Sequence, residues 1–274
     1  MKKIIILFFI TLLTFIFASC TNAKTSKSES YEYNFQQDFH TIYINWDFGI
    51  LNFIDSSEFK VIESSENQIK ETDKSSYVIE GDELFIDYKG TSTRNIDIYL
   101  NKKIKYDTIT ITGKYLDTTI KDMLVSKLNI SSNTGFFWVE NSVLDEFFSR
   151  FVCDIRHYQS HIKSSTILKC DVEYERIHEI YFLNSSFHEI SLRFSNSSVY
   201  FKKNSFSNLT INQERGNTLM ELNGNKGYTF EINSNDFALD METVQYQNLY
   251  FYKNGEQRVN LNGNASYDIR RYFA

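Results

Sequence analysis

Four of the five histidines fall between His157 and His188, and His157-x3-His161 has the spacing at which a helix presents two ligands to one metal ion. The sequence around them is strand-like. On a strand, an offset of four leaves both rings on one face but about 13 Å apart at ~3.3 Å per residue. No metal site and no cofactor is expected there. A second group is acidic: Asp145, Asp154, Asp171 and Glu173. Asp154 and Asp171 stand in matching words, CDI and CDV, so stacking would bring their carboxylates to about 5 Å. That separation suits Ca²⁺ or acid–base work on a polysaccharide. Each aspartate follows an inward-facing residue, which predicts a solvated outer face and no catalytic pair. In the same words Cys153 and Cys170 share strand parity with Ile155 and Val172. Both thiols are expected to point inward on adjacent coils, as a buried stack or as a disulfide. Finally, Phe136, Phe137 and Trp138 follow Gly135 directly. Three consecutive aromatics cannot all face inward on a strand, so at least one is expected to form a contact patch.

The amino terminus carries different chemistry. Lys2 and Lys3 precede an apolar run from Ile4 to Phe17, too short for a comfortable membrane span and laid out as an export signal. It ends in Phe17-Ala18-Ser19-Cys20, which resembles the lipobox of bacterial lipoproteins with Phe in the usual Leu position. Residues 1–19 are therefore expected as a lipoprotein signal peptide. Residues 20–34 are expected as a lipidated Cys20 with a polar, flexible tether, and 35–274 as the folded domain. Acyl chains on Cys20 would make membrane lipid the first partner. The chain carries a net charge of −6 and loses Lys2 and Lys3 with the signal, so no basic surface for nucleic acid remains.

The elements that must position these groups are strands. The chain holds 24 Phe and 18 Tyr and no proline, which would remove a ladder hydrogen bond from any interior strand. Apolar-x-apolar pairs recur about every ten residues, among them Ile180-x-Phe182, Ile190-x-Leu192, Val199-x-Phe201, Leu209-x-Ile211, Met220-x-Leu222, Leu249-x-Phe251 and Val259-x-Leu261. Asn and Ser words fill the gaps. The even spacing predicts an all-β, right-handed parallel β-helix with coils of roughly 20 residues. Asn-Gly at Asn223, Asn254 and Asn262 leaves hairpins open for the carboxyl-terminal part.

A further pattern lies in "FHTIYINWDFGILNFIDSSEFKVIES" from Phe39, "YVIEGDELFIDYK" from Tyr77 and "NIDIYLNKKIKYDTITITG" from Asn95. It resembles the bacterial family called putative auto-transporter adhesin, head GIN domain, over roughly Phe35 to Gly113. The family uses Ser-Gly words where this chain has NSS and SNT, and no ligand or catalytic residue transfers. The resemblance implies a cell-envelope lipoprotein with a structural or adhesive, non-catalytic role, displayed at the outer membrane or surface. Its partner would be a surface polysaccharide or protein. The alternative is a carbohydrate-active enzyme, a lyase or hydrolase on the same scaffold.

Overall fold

The computed structural model describes residues 29–66, 69, 75–152, 159–175, 178–241, 244–253 and 255–273. The signal segment, Cys20, Cys153, Asp154 and His157 lie outside them. Among the described residues there are 22 strands, all joined in one sheet. This corrects the expected open β-helix of uniform coils. The sheet closes as a parallel β-barrel with extra strands, and its interior is a packed apolar core. The ten-residue spacing reports strand length and inward face. It carries no information about which strands pair, and pairing decides closure.

Two columns of parallel strands make up the centre. In the first, Ile109, Leu128, Phe147, Cys170, Ile190 and Leu209 are successive register partners, all inward. In the second, Ile120, Val139, Ile162, Phe182, Phe201 and Met220 follow one another in the same way. Alternation puts every second residue into the core, as in Thr41–Trp46 with Ile42, Ile44 and Trp46 buried. Truncating one such residue, Phe147 for instance, should cost about 3–5 kcal/mol.

The recurring Asn-Ser words are the corners between columns. Asp122, Asn141, Ser164, Asn184 and Lys203 have φ between 50° and 57°, where Asn and Asp are favoured among side-chain-bearing residues. The residue after each of the last four is a buried polar one: Ser142, Ser165, Ser185 and Asn204. The Ser142 amide donates to Ser165 Oγ at 3.2 Å, the Ser165 amide to Ser185 Oγ at 3.2 Å, and the Ser185 amide to Asn204 Oδ1 at 2.9 Å. Each hydroxyl in turn donates to the carbonyl two residues back. A buried polar column is thereby fully bonded.

The ends depart from this regular advance. Strand Thr41–Trp46 lies between Glu83–Tyr88 and the first half of Lys105–Lys121, so a segment early in the chain sits inside one that follows it. The carboxyl end mirrors this arrangement. Gln257–Asn262 lies between Asn208–Asn223 and Tyr228–Asn233. Antiparallel ribbons cover both ends. Lys60–Ser65 pairs with Asn95–Leu100 and with Glu29–Asn34, the latter within the segment expected as tether. At the other end, Leu249–Tyr252 pairs with Tyr228–Asn233 and with Val244–Tyr246. Such ribbons shield sheet edges that would otherwise template further pairing.

Candidate functional site

The second corner, where the first column hands over to the second, opens as a groove of about 380 Å³. Glu173, Glu175, Arg193, Asn212, Glu214 and Asn262 line it, on or beside the strands Thr166–Tyr174, Ser186–Lys202, Asn208–Asn223 and Gln257–Asn262. Its base is rigid. Gln213, buried at 1 % exposure, donates to the Ser197 carbonyl at 2.6 Å and the Arg215 carbonyl at 3.0 Å, and accepts from Thr218 Oγ1 at 2.6 Å. Gly263 has φ +107°, and a Cβ there would stand 2.0 Å from the Gln213 carbonyl oxygen, so only glycine lets the two backbones meet.

An asparagine ladder runs into this groove. Asn248 Nδ2 donates to Asn233 Oδ1 at 2.8 Å, Asn233 Nδ2 to Asn262 Oδ1 at 2.8 Å, and Asn262 Nδ2 to Asn212 Oδ1 at 3.0 Å. All the donors point one way. Asn212 ends the row, with Arg193 its register partner on the next strand. Arg193 lies 3.6 Å from Asp171, and Glu175 is bound by Arg150 at 3.0 Å. The groove thus holds donors from Asn212 and Arg193 beside acceptors from Glu173 and Glu214.

On the second column an aromatic ladder faces outward. Trp138 stacks on His161 at 4.2 Å, His161 on Tyr181 at 4.8 Å, and Tyr181 on Tyr200 at 4.5 Å, with interplanar angles from 7° to 24°. All four are half-buried. Their faces are turned on each other, so the ladder presents ring edges to solvent. Burial between its neighbours, with Lys163 nearby, pushes the His161 pKa down. Burial and Glu179 push the Tyr181 phenol up to about 12. Lys163 lies 2.9 Å from Glu140 and holds that carboxyl below the usual range.

The residues singled out from sequence are dispersed. Of the aromatic trio, Phe137 is buried, Phe136 is half-buried and Trp138 starts the ladder. Cys170 is a buried free thiol whose pKa burial raises, and its register partners are Phe147 and Ile190. Asp171 is in register with Phe148 and Ser191, and Asp145 is paired with Lys105 at 2.6 Å. His161 belongs to the aromatic ladder, and among the described residues no three His, Cys, Asp or Glu side chains converge. Glu173 alone of these candidates reaches the groove. Sequence reasoning missed Arg193, Asn212, Glu214 and Asn262. A signal for two of them was present: "LTIN", "FEIN" and "VNLN" each place Asn directly after an inward pair, at Asn212, Asn233 and Asn262.

No protein-family model matches the sequence, and no curated protein matches it. The fold is similar to that of a "putative adhesin" from Bacteroides fragilis, at a TM-score of 0.51 and 9 % identity over 90 % of this chain and 97 % of that one. A "putative lipid binding protein" from Parabacteroides distasonis aligns at a TM-score of 0.41 and 10 % identity, over 90 % of this chain and 95 % of that one. At such identities the likeness to the Bacteroides fragilis structure is one of fold alone.

Proposed function

We propose that this chain is a lipid-anchored, non-catalytic binding protein of the bacterial cell envelope, with an adhesive or ligand-holding role. The carrying observation is the corner groove: open, of ligand size, and lined by residues of four paired strands. Of the acidic candidates, Asp145 pairs with Lys105 and Asp171 faces Arg193, while Asp154 lies outside the described residues. The fold shared with the Bacteroides fragilis protein supports the reading. The anchor is Cys20, which follows the Phe17-Ala18-Ser19 word.

Replacing Cys20 with Ala should move the protein from the membrane fraction to the soluble one and abolish acyl labelling. Unchanged fractionation together with an unlabelled wild type would remove the anchor from the proposal. Release of new reducing ends from any bound oligosaccharide would defeat the non-catalytic part.

A further inference from the structure

Resting on that binding role, we infer that the corner groove is a saccharide subsite. Its ligand is a neutral oligosaccharide held through hydroxyl groups by Asn212, Arg193, Glu173 and Glu214. The argument begins with the direction of the asparagine ladder. Each amide donates forward, so Asn212 has its oxygen occupied by Asn262 and keeps its Nδ2 as a donor, one register step from Arg193. Arg193 has donors only and cannot answer it. Two exposed donor groups, the Asn212 amide and the guanidinium that Arg193 shares with Asp171, therefore line the groove and can serve a ligand oxygen. Glu173 and Glu214 stand in the same groove as acceptors only.

A ligand that serves both sets must donate and accept within a few ångströms. Neighbouring sugar hydroxyls do so, each having one O–H and two lone pairs. An anionic ligand meets Glu173, Glu175 and Glu214 against Arg193, which is already shared with Asp171, and Arg150, which is already bound to Glu175. A cationic ligand would suit the carboxylates but makes no use of the donors of Asn212 and Arg193. The site is preorganised: the ladder holds Asn262 at both its amide oxygen and nitrogen, and Gln213 fixes the floor. The size, about 380 Å³, suits one or two sugar units.

The test uses the full chain in detergent on an array of neutral oligosaccharides with gluco-, manno-, galacto- and N-acetylglucosamine repeats. Oligogalacturonates form the anionic arm and coated proteins a third. Binding to at least one neutral series is expected. Asn212→Ala, and separately Glu214→Gln, should weaken it tenfold or more, while Tyr181→Ala on the aromatic ladder leaves it within twofold. Asn212 and Glu214 are exposed, so thermal midpoints close to wild type should accompany the loss. Neutral binding that survives both groove variants overturns the inference, as does preference for oligogalacturonates. Binding to coated protein without any neutral saccharide overturns the subsite and leaves the binding role standing. Binding to nothing on all three arms overturns both.

Discussion

The centre of the barrel and its amino-terminal end solve the same problem with opposite chemistry. In the centre and toward the carboxyl end, neutral groups repeat: serines at one corner, asparagines near the other, rings stacked on the outer face. Each unit contacts the next. At the amino-terminal end, the described residues hold one ion pair that is buried on both sides. Arg94 and Glu63 are each 1 % exposed and 2.5 Å apart, and Ser75 donates to the same carboxylate. The Arg94 guanidinium lies 4.2 Å above the Tyr88 ring, and its carbonyl accepts from Trp46 Nε1 at 2.9 Å. At Gly49 a Cβ would sit 1.6 Å from that carbonyl oxygen, so Gly49 is what admits the Arg94 backbone. Burying two charges gains little net stability, because desolvation offsets their attraction. What such a pair provides is selectivity, since any register that separates the partners leaves a charge in the core. The end of the barrel, where chain order and spatial order disagree, is where wrong pairings most need to be excluded.

The contrast can be broken most severely at the pair. Glu63→Ala leaves Arg94 buried and uncompensated, and should cost about 3–5 kcal/mol in chemical denaturation. Adding Arg94→Met should recover part of that loss. A double variant no better than the single one would mean that the charge is not the source of the cost.

A central serine should matter less. Ser165→Ala removes the acceptor of the Ser142 amide and the donor to the Lys163 carbonyl. The expected loss is about 1–3 kcal/mol for a buried amide left without a partner. A cost equal to that of Glu63→Ala would erase the distinction between repeated and unique interactions.

The smallest effect concerns acid. The folded His161 pKa lies below its unfolded value, so the unfolded chain binds the proton first. Stability is therefore complete above about pH 6.5 and falls as pH drops from there through the depressed folded value. His161→Phe, which keeps a ring between Trp138 and Tyr181, should flatten that slope in pH-dependent melting. An unchanged slope would place the acid sensitivity elsewhere.

Much of the centre was legible beforehand. The pairs Ile190-x-Leu192, Val199-x-Phe201 and Leu209-x-Ile211 all face the core, because alternation is a local property of a strand. Leu249-x-Phe251 does not: Phe251 is 37 % exposed and Tyr252 is inward instead. That strand belongs to the antiparallel ribbon, where one face is open and the local pattern no longer reports the core. The expected β-helix also fell, because equal spacing is compatible with an open or a closed arrangement. The groove was hidden for a related reason. Glu173, Arg193, Asn212 and Asn262 are far apart in the chain, and only the parallel register sets them side by side.

By itself the sequence determined that the chain would be β-rich, with short strands, inward pairs and Asn- and Ser-bearing turns between them. Those follow from side-chain alternation and from backbone preferences that act within a few residues. Only the tertiary structure decided that Thr41–Trp46 and Gln257–Asn262 lie between strands that follow or precede them, that Arg94 meets Glu63, and that Asn212 ends its ladder facing Arg193. These are pairings across tens of residues. Their free energy depends on closing the whole sheet, and no local stretch of sequence contains that term.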